Sequence, residues 1–246
     1  KVWRVALAGG DTLTGQYLIT ATGFLSQPQT PEIPGIESFE GRIIHTAEWD
    51  DAYDPTNHRV AVIGTGATAV QLIPELAKST ADLTVYQRTP IWVVPKIDVP
   101  FSERAKRLFA RLPITQRVIR VITDAIYEFM VYVAVVRHRS FRGRPNISAA
   151  DLAKMYRFIT IRDKDLRRRL TPDYDFCCKR PTFSNSYYQT LTRSNVHLQD
   201  SGINRIEPDG IVANDGTKAV VDTLVLATGF DLWEANFPAI EVIGRD

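Results

Sequence analysis

The sequence is poor in cysteine and has no marked excess of either charge. Its two cysteines, Cys177 and Cys178, are neighbours in a chain of 246 residues, so they offer no disulfide framework. We therefore expect a reducing compartment and a cytoplasmic protein. Thirty Lys and Arg stand against 28 Asp and Glu, and this balance gives no reason to expect nucleic acid as a partner.

Long uninterrupted apolar runs are also missing. The first residues, KVWRVALAGGDTLTG, alternate and turn as two strands of a hairpin do, Val2 to Leu7 and Gly15 to Ile19, rather than as a signal peptide does. The most apolar stretch, residues 118–136, contains Arg120, Asp124 and Glu128. We expect it to be buried in a core or along a substrate channel, and we predict no transmembrane span and no metal site.

A strand, a turn and a helix follow one another around the segment RVAVIGTGATA. Residues 59–63 read as a buried strand, residues 67–78 as a helix and residues 83–87 as the next buried strand. In the intervening GxGxxA, the first glycine permits a tight turn, the second lets a pyrophosphate approach the backbone, and the alanine allows close helix packing. The predicted dinucleotide-binding residues are Gly64, Thr65, Gly66, Ala67, Thr68 and Ala69.

The end of the second strand indicates which dinucleotide is bound. An NAD site has an acidic residue there to hold the ribose hydroxyls, whereas this strand ends in Gln87, Arg88 and Thr89. Arg88 offers a planar fork for a 2′-phosphate, and Thr89 adds a hydroxyl beside it. The sequence therefore favours NADP, although an exposed arginine in a solvated loop would look the same.

The chain contains Ala-Thr-Gly twice, at residues 21–23 and 227–229. The segment between the first of these and the glycine turn at residues 64–66 resembles a family fingerprint. Phe39-x-Gly41-x-x-x-His45-x-x-x-Trp49-Asp50 is similar to the FxGxxxHxxxW(P/D) of Baeyer–Villiger monooxygenases, and QRTP (87–90), CKRP (178–181) and LATGFD (226–231) also resemble that family. The resemblance implies FAD and NADP as cofactors, and oxidation of ketones to esters or lactones through a peroxyflavin. It also implies O2 and a small-molecule carbonyl or sulfide as substrates.

The resemblance assigns further site residues. Arg180 would be the catalytic arginine beside the flavin, and Lys179 would join Arg88 at the 2′-phosphate. His45 would act in the connector as a hydrogen-bonded positioning residue rather than as a base. The two Ala-Thr-Gly turns would lie along a cofactor through Thr22, Gly23, Thr228 and Gly229. The chain departs from many relatives at Cys177, where a glycine often precedes CKR.

These assignments predict an α/β fold with a doubly wound Rossmann-like NADP domain, an α-helical insertion and flanking parts of an FAD-binding domain. The expected order is FAD-domain strands and linker (1–38), connector (39–58), first NADP part (59–95), helical insertion (96–176), NADP return (177–222) and FAD-domain segment with the second Ala-Thr-Gly (223–246).

The FAD-binding GxGxxG of the family has no counterpart here. We therefore expect an internal piece of a longer enzyme, inactive alone, whose partner is the missing FAD-domain segment of the same polypeptide. Two alternatives stay open. One is an N- or S-oxygenating flavin monooxygenase, and the other is a stand-alone NADP-binding module without chemistry.

Overall fold

A computed structural model describes residues 2–21, 23, 25–96, 98, 100–132 and 149–231. Its strands are β1 (Trp3–Ala6), β2 (Thr12–Gly15), β3 (Arg42–His45), β4 (Arg59–Ile63), β5 (Asp82–Tyr86), β6 (Val93–Val94), β7 (Thr182–Phe183), β8 (Val196–Gln199), β9 (Ile203–Glu207), β10 (Gly210–Ala213), β11 (Lys218–Val220) and β12 (Thr223–Leu226). Its helices are α1 (Ala67–Leu76), α2 (Glu103–Arg111), α3 (Pro113–Val131), α4 (Ala149–Thr160), α5 (Lys164–Arg169) and α6 (Tyr187–Thr190), with a 3-10 turn at Ile36–Ser38.

The centre of the larger compact unit, Thr30–Thr228, is a parallel sheet of five strands in the order β3-β12-β4-β5-β8. The predicted β4-α1-β5 unit forms, with β4 and β5 adjacent and in parallel register. Because side chains alternate along a strand, Val60 and Val62 pack with α1, whereas Ala61 and Ile63 face the opposite side. This confirms the α/β class and the Rossmann-like unit.

That opposite side is covered by a three-stranded antiparallel sheet in the order β11-β10-β9. Ile206 and Ile211 of this sheet share a buried cluster with Leu224 and Leu226 of β12. The predicted helical insertion contains α2 to α5, which lie in the chain between β6 and β7. The two short strands β6 and β7 pair in parallel and so bring the two ends of the insertion together.

The smaller unit comprises Lys1–Gln29 and Gly229–Asp246. Its β1 and β2 form the predicted hairpin, but the second strand is Thr12–Gly15 rather than residues 15–19. The short turn explains the difference, because the amide of Leu7 already bonds to the carbonyl of Asp11, 2.8 Å away, so pairing resumes at Thr12. Pro28 and Phe230 form an isolated antiparallel bridge in the same unit.

The two compact units change over at 29/30 and 228/229. The assignment of these parts to FAD-binding and NADP-binding domains stays a prediction. Both β3, from the predicted connector, and β12, from the predicted FAD-domain segment, are strands of the parallel sheet. None of the helices among the described residues is long and apolar enough to cross a membrane.

Candidate functional site

The glycine turn leaves the carboxyl end of β4 and leads directly into α1. Gly64 has a φ of 111°, and a Cβ there would lie 2.5 Å from the carbonyl oxygen of Ala227, so a side chain is excluded by both conformation and space. Gly66 precedes the first helical residue, and no atom lies within 4 Å of the position that its Cβ would take. The backbone at Gly66 is therefore exposed and open to the approach of another molecule.

Of the other residues in the glycine turn, some are buried and others are exposed. Thr65 is buried, and its hydroxyl donates to the carbonyl of Thr89 across 3.1 Å, which ties the glycine turn to the segment after β5. Ala69 is buried against the sheet, whereas Ala67 and Thr68 are exposed. The first amides of α1 have no acceptor within the helix, so this end is suited to an anion.

Arg88 follows β5 at the same edge of the sheet as the glycine turn. Its side chain is exposed and makes no hydrogen bond or ion pair with another described residue. Gln87 beside it is buried, and its Nε2 donates to the carbonyl of Arg169 across 2.9 Å. The nearby carboxylate of Asp200 is paired with Arg169 at 2.9 Å, so it is already neutralised. The predicted 2′-phosphate position is thus cationic.

The segment carrying Lys179 and Arg180 is fixed next to the segment after β5. The Tyr174 hydroxyl donates to the carbonyl of Pro90 (3.0 Å), and Trp92 Nε1 donates to the carbonyl of Tyr174 (3.0 Å). The ammonium of Lys179 lies 4.9 Å from the centre of the Tyr174 ring. Burial raises the pKa of Tyr174, so it remains a neutral donor. The structure therefore brings Lys179 towards the Arg88 segment.

Arg180 is exposed and has no partner among the described residues. The preceding Cys177 has a φ of 72°, in the left-handed region that favours glycine. A glycine would adopt this conformation without strain, whereas Cys177 carries a Cβ and is strained there. Both cysteines are free and exposed, and partial shielding of the Cys177 thiol from water raises its pKa.

His45 ends β3 and is buried at the carboxyl edge of the sheet. Its Nδ1 accepts from the backbone amide of Ala47 (3.1 Å), and its Nε2 lies 3.4 Å from the hydroxyl of Thr228. Because an N–H donor faces Nδ1, the neutral ring carries its proton on Nε2. The histidine thus links the fingerprint to the second Ala-Thr-Gly, which agrees with a positioning role.

The rest of the fingerprint anchors β3 on both faces of the sheet. A Cβ on Gly41 would lie 2.4 Å from the carbonyl oxygen of Asp222 and 2.5 Å from Phe39 Cζ. There is therefore no room for a side chain at Gly41 between the Asp222 backbone and the Phe39 ring. Phe39 belongs to the cluster on the β9–β11 side, whereas Trp49 packs against the cluster on the α1 side. Asp50 forms an ion pair with Arg42 of β3.

The Ala-Thr-Gly turns share one backbone feature. Gly23 has a φ of 70° and Gly229 a φ of 84°. Apart from chain neighbours, no described residue has an atom within 4 Å of the position that a Cβ would take on either glycine. Thr22 lies outside the described residues. Both glycines therefore present bare backbone of the kind that a cofactor can approach.

Sequence reasoning missed the residues that position the site from behind. Tyr53 packs edge-on against Trp49 at 6.0 Å, and its hydroxyl donates to the buried Thr223 hydroxyl across 3.0 Å. Tyr174 and Trp92 were missed likewise. None of the three carries a local motif, because each acts on a partner remote in sequence. No group of metal-ligating side chains occurs in the part of the chain that the structure describes.

Comparisons with known proteins agree with this geometry. A Baeyer–Villiger monooxygenase of Streptomyces coelicolor is 38% identical over 99% of this chain and 46% of its own length, and one of Pseudomonas aeruginosa is 36% identical over 100% and 46%. The chain thus spans about half the length of the curated relatives it matches.

Solved structures of similar proteins give the same result. The open crystal structure of cyclohexanone monooxygenase aligns over 100% of this chain and 54% of its own, with a TM-score of 0.77 and 29% identity. The OTEMO complex with FAD and NADP aligns over 100% and 53%, with a TM-score of 0.78 and 29% identity.

The family model described as pyridine nucleotide-disulphide oxidoreductase matches residues 4–128. The resemblance inferred from the sequence motifs is confirmed by the named relatives, which align over essentially the whole chain. From the matched model, together with the glycine turn that it covers, it follows that the chain belongs to the pyridine nucleotide-disulphide oxidoreductase family.

Proposed function

We propose that the chain is the NADP-binding part of a flavin-dependent Baeyer–Villiger monooxygenase, which uses NADPH and O2 to oxidise a ketone to an ester or lactone. The observation that carries the proposal is the open end of α1 beside an unpaired Arg88, on one edge of the parallel sheet. The relatives named for this reaction support it, as does the complex of one structural neighbour with FAD and NADP.

The residues fit NADP. The space at Gly66 and the amides of Ala67 and Thr68 suit a pyrophosphate, and Arg88 with Lys179 suits the 2′-phosphate. For FAD, the bare backbone at Gly23 and Gly229 is the feature that fits. FAD when bound would supply the electron carrier that reacts with O2.

The chain's own residues have two tasks in this reaction. Arg180 would bring a fixed positive charge towards the carbonyl oxygen of the substrate, where negative charge develops during oxidation. His45 would hold Thr228 and the second Ala-Thr-Gly in place through its Nε2 proton. Neither task requires the enzyme residues themselves to be oxidised or reduced.

The first test is cofactor choice. In the full-length protein, NADPH should bind at least about tenfold more tightly than NADH, because charge-assisted contacts to the 2′-phosphate exist only for NADPH. Arg88→Ala should reduce the difference between the two affinities by weakening the binding of NADPH alone. The matched control is Arg193→Ala, which removes an exposed charge before β8, at the opposite edge of the sheet. Equal affinities in the parent protein would contradict the proposal.

The second test separates hydride transfer from oxygenation. Arg180→Ala should abolish ester formation from a ketone such as cyclohexanone while reduction of the flavin by NADPH remains measurable by absorbance. His45→Ala should uncouple NADPH consumption from product formation with little change in NADPH affinity. A sulfide oxidised while every ketone is left unchanged would favour the N- or S-oxygenating branch instead.

A further inference from the structure

A cavity with a basic lining lies between α4 and α5, apart from the glycine turn and the Arg180 segment. Its volume is about 450 Å³. Five cationic side chains line it: Lys154, Arg157, Lys164, Arg167 and Arg168. The surrounding residues 149–171 hold seven Lys and Arg against three Asp, although the whole chain is nearly balanced at 30 against 28. Positive charge is therefore concentrated at this place.

The acids of the same segment neutralise only part of this charge. Lys154 Nζ lies 3.6 Å from Asp151, and Arg168 lies 2.5 Å from Asp165. Arg167 donates to the carbonyl of Ile161, which carries no net charge. Neither Lys164 nor Arg157 has a carboxylate partner among the described residues. At least two positive charges at the cavity thus lack a counter-ion.

Arg157 is the unusual member of this set. It is 6% exposed, and its Nη1 is shielded from solvent without a hydrogen-bond partner among the residues that the structure describes. Its guanidinium lies 5.7 Å from the centre of the Trp92 ring and close to Tyr188, but neither group is anionic. A buried cation without an acidic partner is costly, and arginine is seldom buried in this way. An anion in the cavity that Arg157 lines would offset that cost through its charge, without a hydrogen bond to the shielded Nη1.

We propose that this cavity is a binding site for a small phosphate-bearing molecule, which Lys164 and Arg167 would contact and which the positive charge of Arg157 beneath them would stabilise. A phosphate matches the planar, multiply donating guanidinium and the excess of charge. Because Arg157 is recessed, a small soluble anion can come close to it, whereas a flat membrane surface would meet only the rim. The proposal does not depend on the monooxygenase function.

The test is a calorimetric titration of the full-length protein with inorganic pyrophosphate, with and without saturating NADP. Binding should persist when NADP is present, which separates this cavity from the glycine turn. Arg157→Gln should weaken the binding of pyrophosphate about tenfold, because a positive charge close to the anion is lost. Lys164→Gln, an exposed change that spares the core, should weaken it by a smaller factor. The control Arg162→Gln removes a neighbouring exposed charge that does not line the cavity and should change nothing.

Three outcomes would overturn the proposal. The first is no pyrophosphate binding once NADP is present. The second is an equal effect of Arg162→Gln and Lys164→Gln, since binding would then reflect general surface charge. The third is sedimentation with phosphatidylglycerol vesicles that depends on Lys164 without any binding of pyrophosphate, which would point to a membrane surface. Lys164→Gln keeps the test decisive if Arg157→Gln fails to fold.

Discussion

Adding one methyl group at Gly66 should separate cofactor binding from folding. Gly66 has a φ of −71°, which any residue can adopt, and its Cβ would meet no atom within 4 Å. Gly64, two residues earlier, is its matched control. There φ is 111°, and the Cβ would lie 2.5 Å from a backbone oxygen. Gly66→Ala and Gly64→Ala therefore add the same atom with opposite structural consequences.

The two free energies of unfolding can be worked out from these facts. In Gly66→Ala, loss of the preferred glycine at the helix cap lowers the free energy of unfolding by a few tenths to about 1 kcal/mol. The lower entropy of the unfolded chain raises it by about 0.4–1 kcal/mol, so the two effects should nearly cancel. At Gly64, left-handed strain of about 1–2 kcal/mol adds to overpacking of about 1–3 kcal/mol. A loss of about 3 kcal/mol should lower the Tm of a unit of this size by roughly 6–12 °C.

The assays are thermal unfolding without ligand and NADPH binding by nicotinamide fluorescence. Gly66→Ala should keep its Tm within about 2 °C of the parent and lose at least about tenfold in NADPH affinity, because the methyl group occupies the approach of the pyrophosphate. Parental NADPH affinity in Gly66→Ala would refute the pyrophosphate position. A Tm as low as that of Gly64→Ala would refute the open space at Gly66.

Three further predictions concern stability and are measured by unfolding. Cys177→Gly should raise the free energy of unfolding by about 0.5–1 kcal/mol, since left-handed strain is released against a smaller entropic loss. Tyr53→Phe should lower it by about 1 kcal/mol, because the buried Thr223 hydroxyl loses its partner. A hydrogen bond from Arg59 lowers the pKa of Asp222. The ionised Asp222 carboxylate therefore stabilises the fold above about pH 4, and this stabilisation is lost as the pH falls through the lowered pKa. Asp222→Asn should therefore be less stable at pH 7 and less sensitive to acid between about pH 5 and pH 2.

For each of the three stability predictions, one outcome would contradict the reasoning. A lower Tm for Cys177→Gly would mean that the Cys177 side chain contributes more than its strain costs. An unchanged Tm for Tyr53→Phe would mean that the Thr223 hydroxyl oxygen accepts from another donor. An acid transition of Asp222→Asn identical with that of the parent would remove this carboxylate from the pH dependence.

The local parts of the fold could be predicted because their signals are contiguous. β4 has the bounds expected from its apolar run, and α1 begins at Ala67 as the glycine turn requires. The two-residue strands β6 and β7 could not be predicted, since so short a pair has no period. The break between α4 and α5 was also missed, although Asp163 caps α5 through its carboxylate.

The fingerprint shows why the rest could not be predicted. Three of its contacts are made with residues 222–228: the backbone of Asp222 meets Gly41, β12 pairs with β3 along its whole length, and Thr228 meets His45. A sequence read in order presents these two segments far apart, and only parallel pairing makes them one structure. The same contacts therefore give residues 39–50 both a structural role and a connecting role. The contacts that hold β3 in register also place His45 beside the second Ala-Thr-Gly, so a change that shifts β3 would move both together.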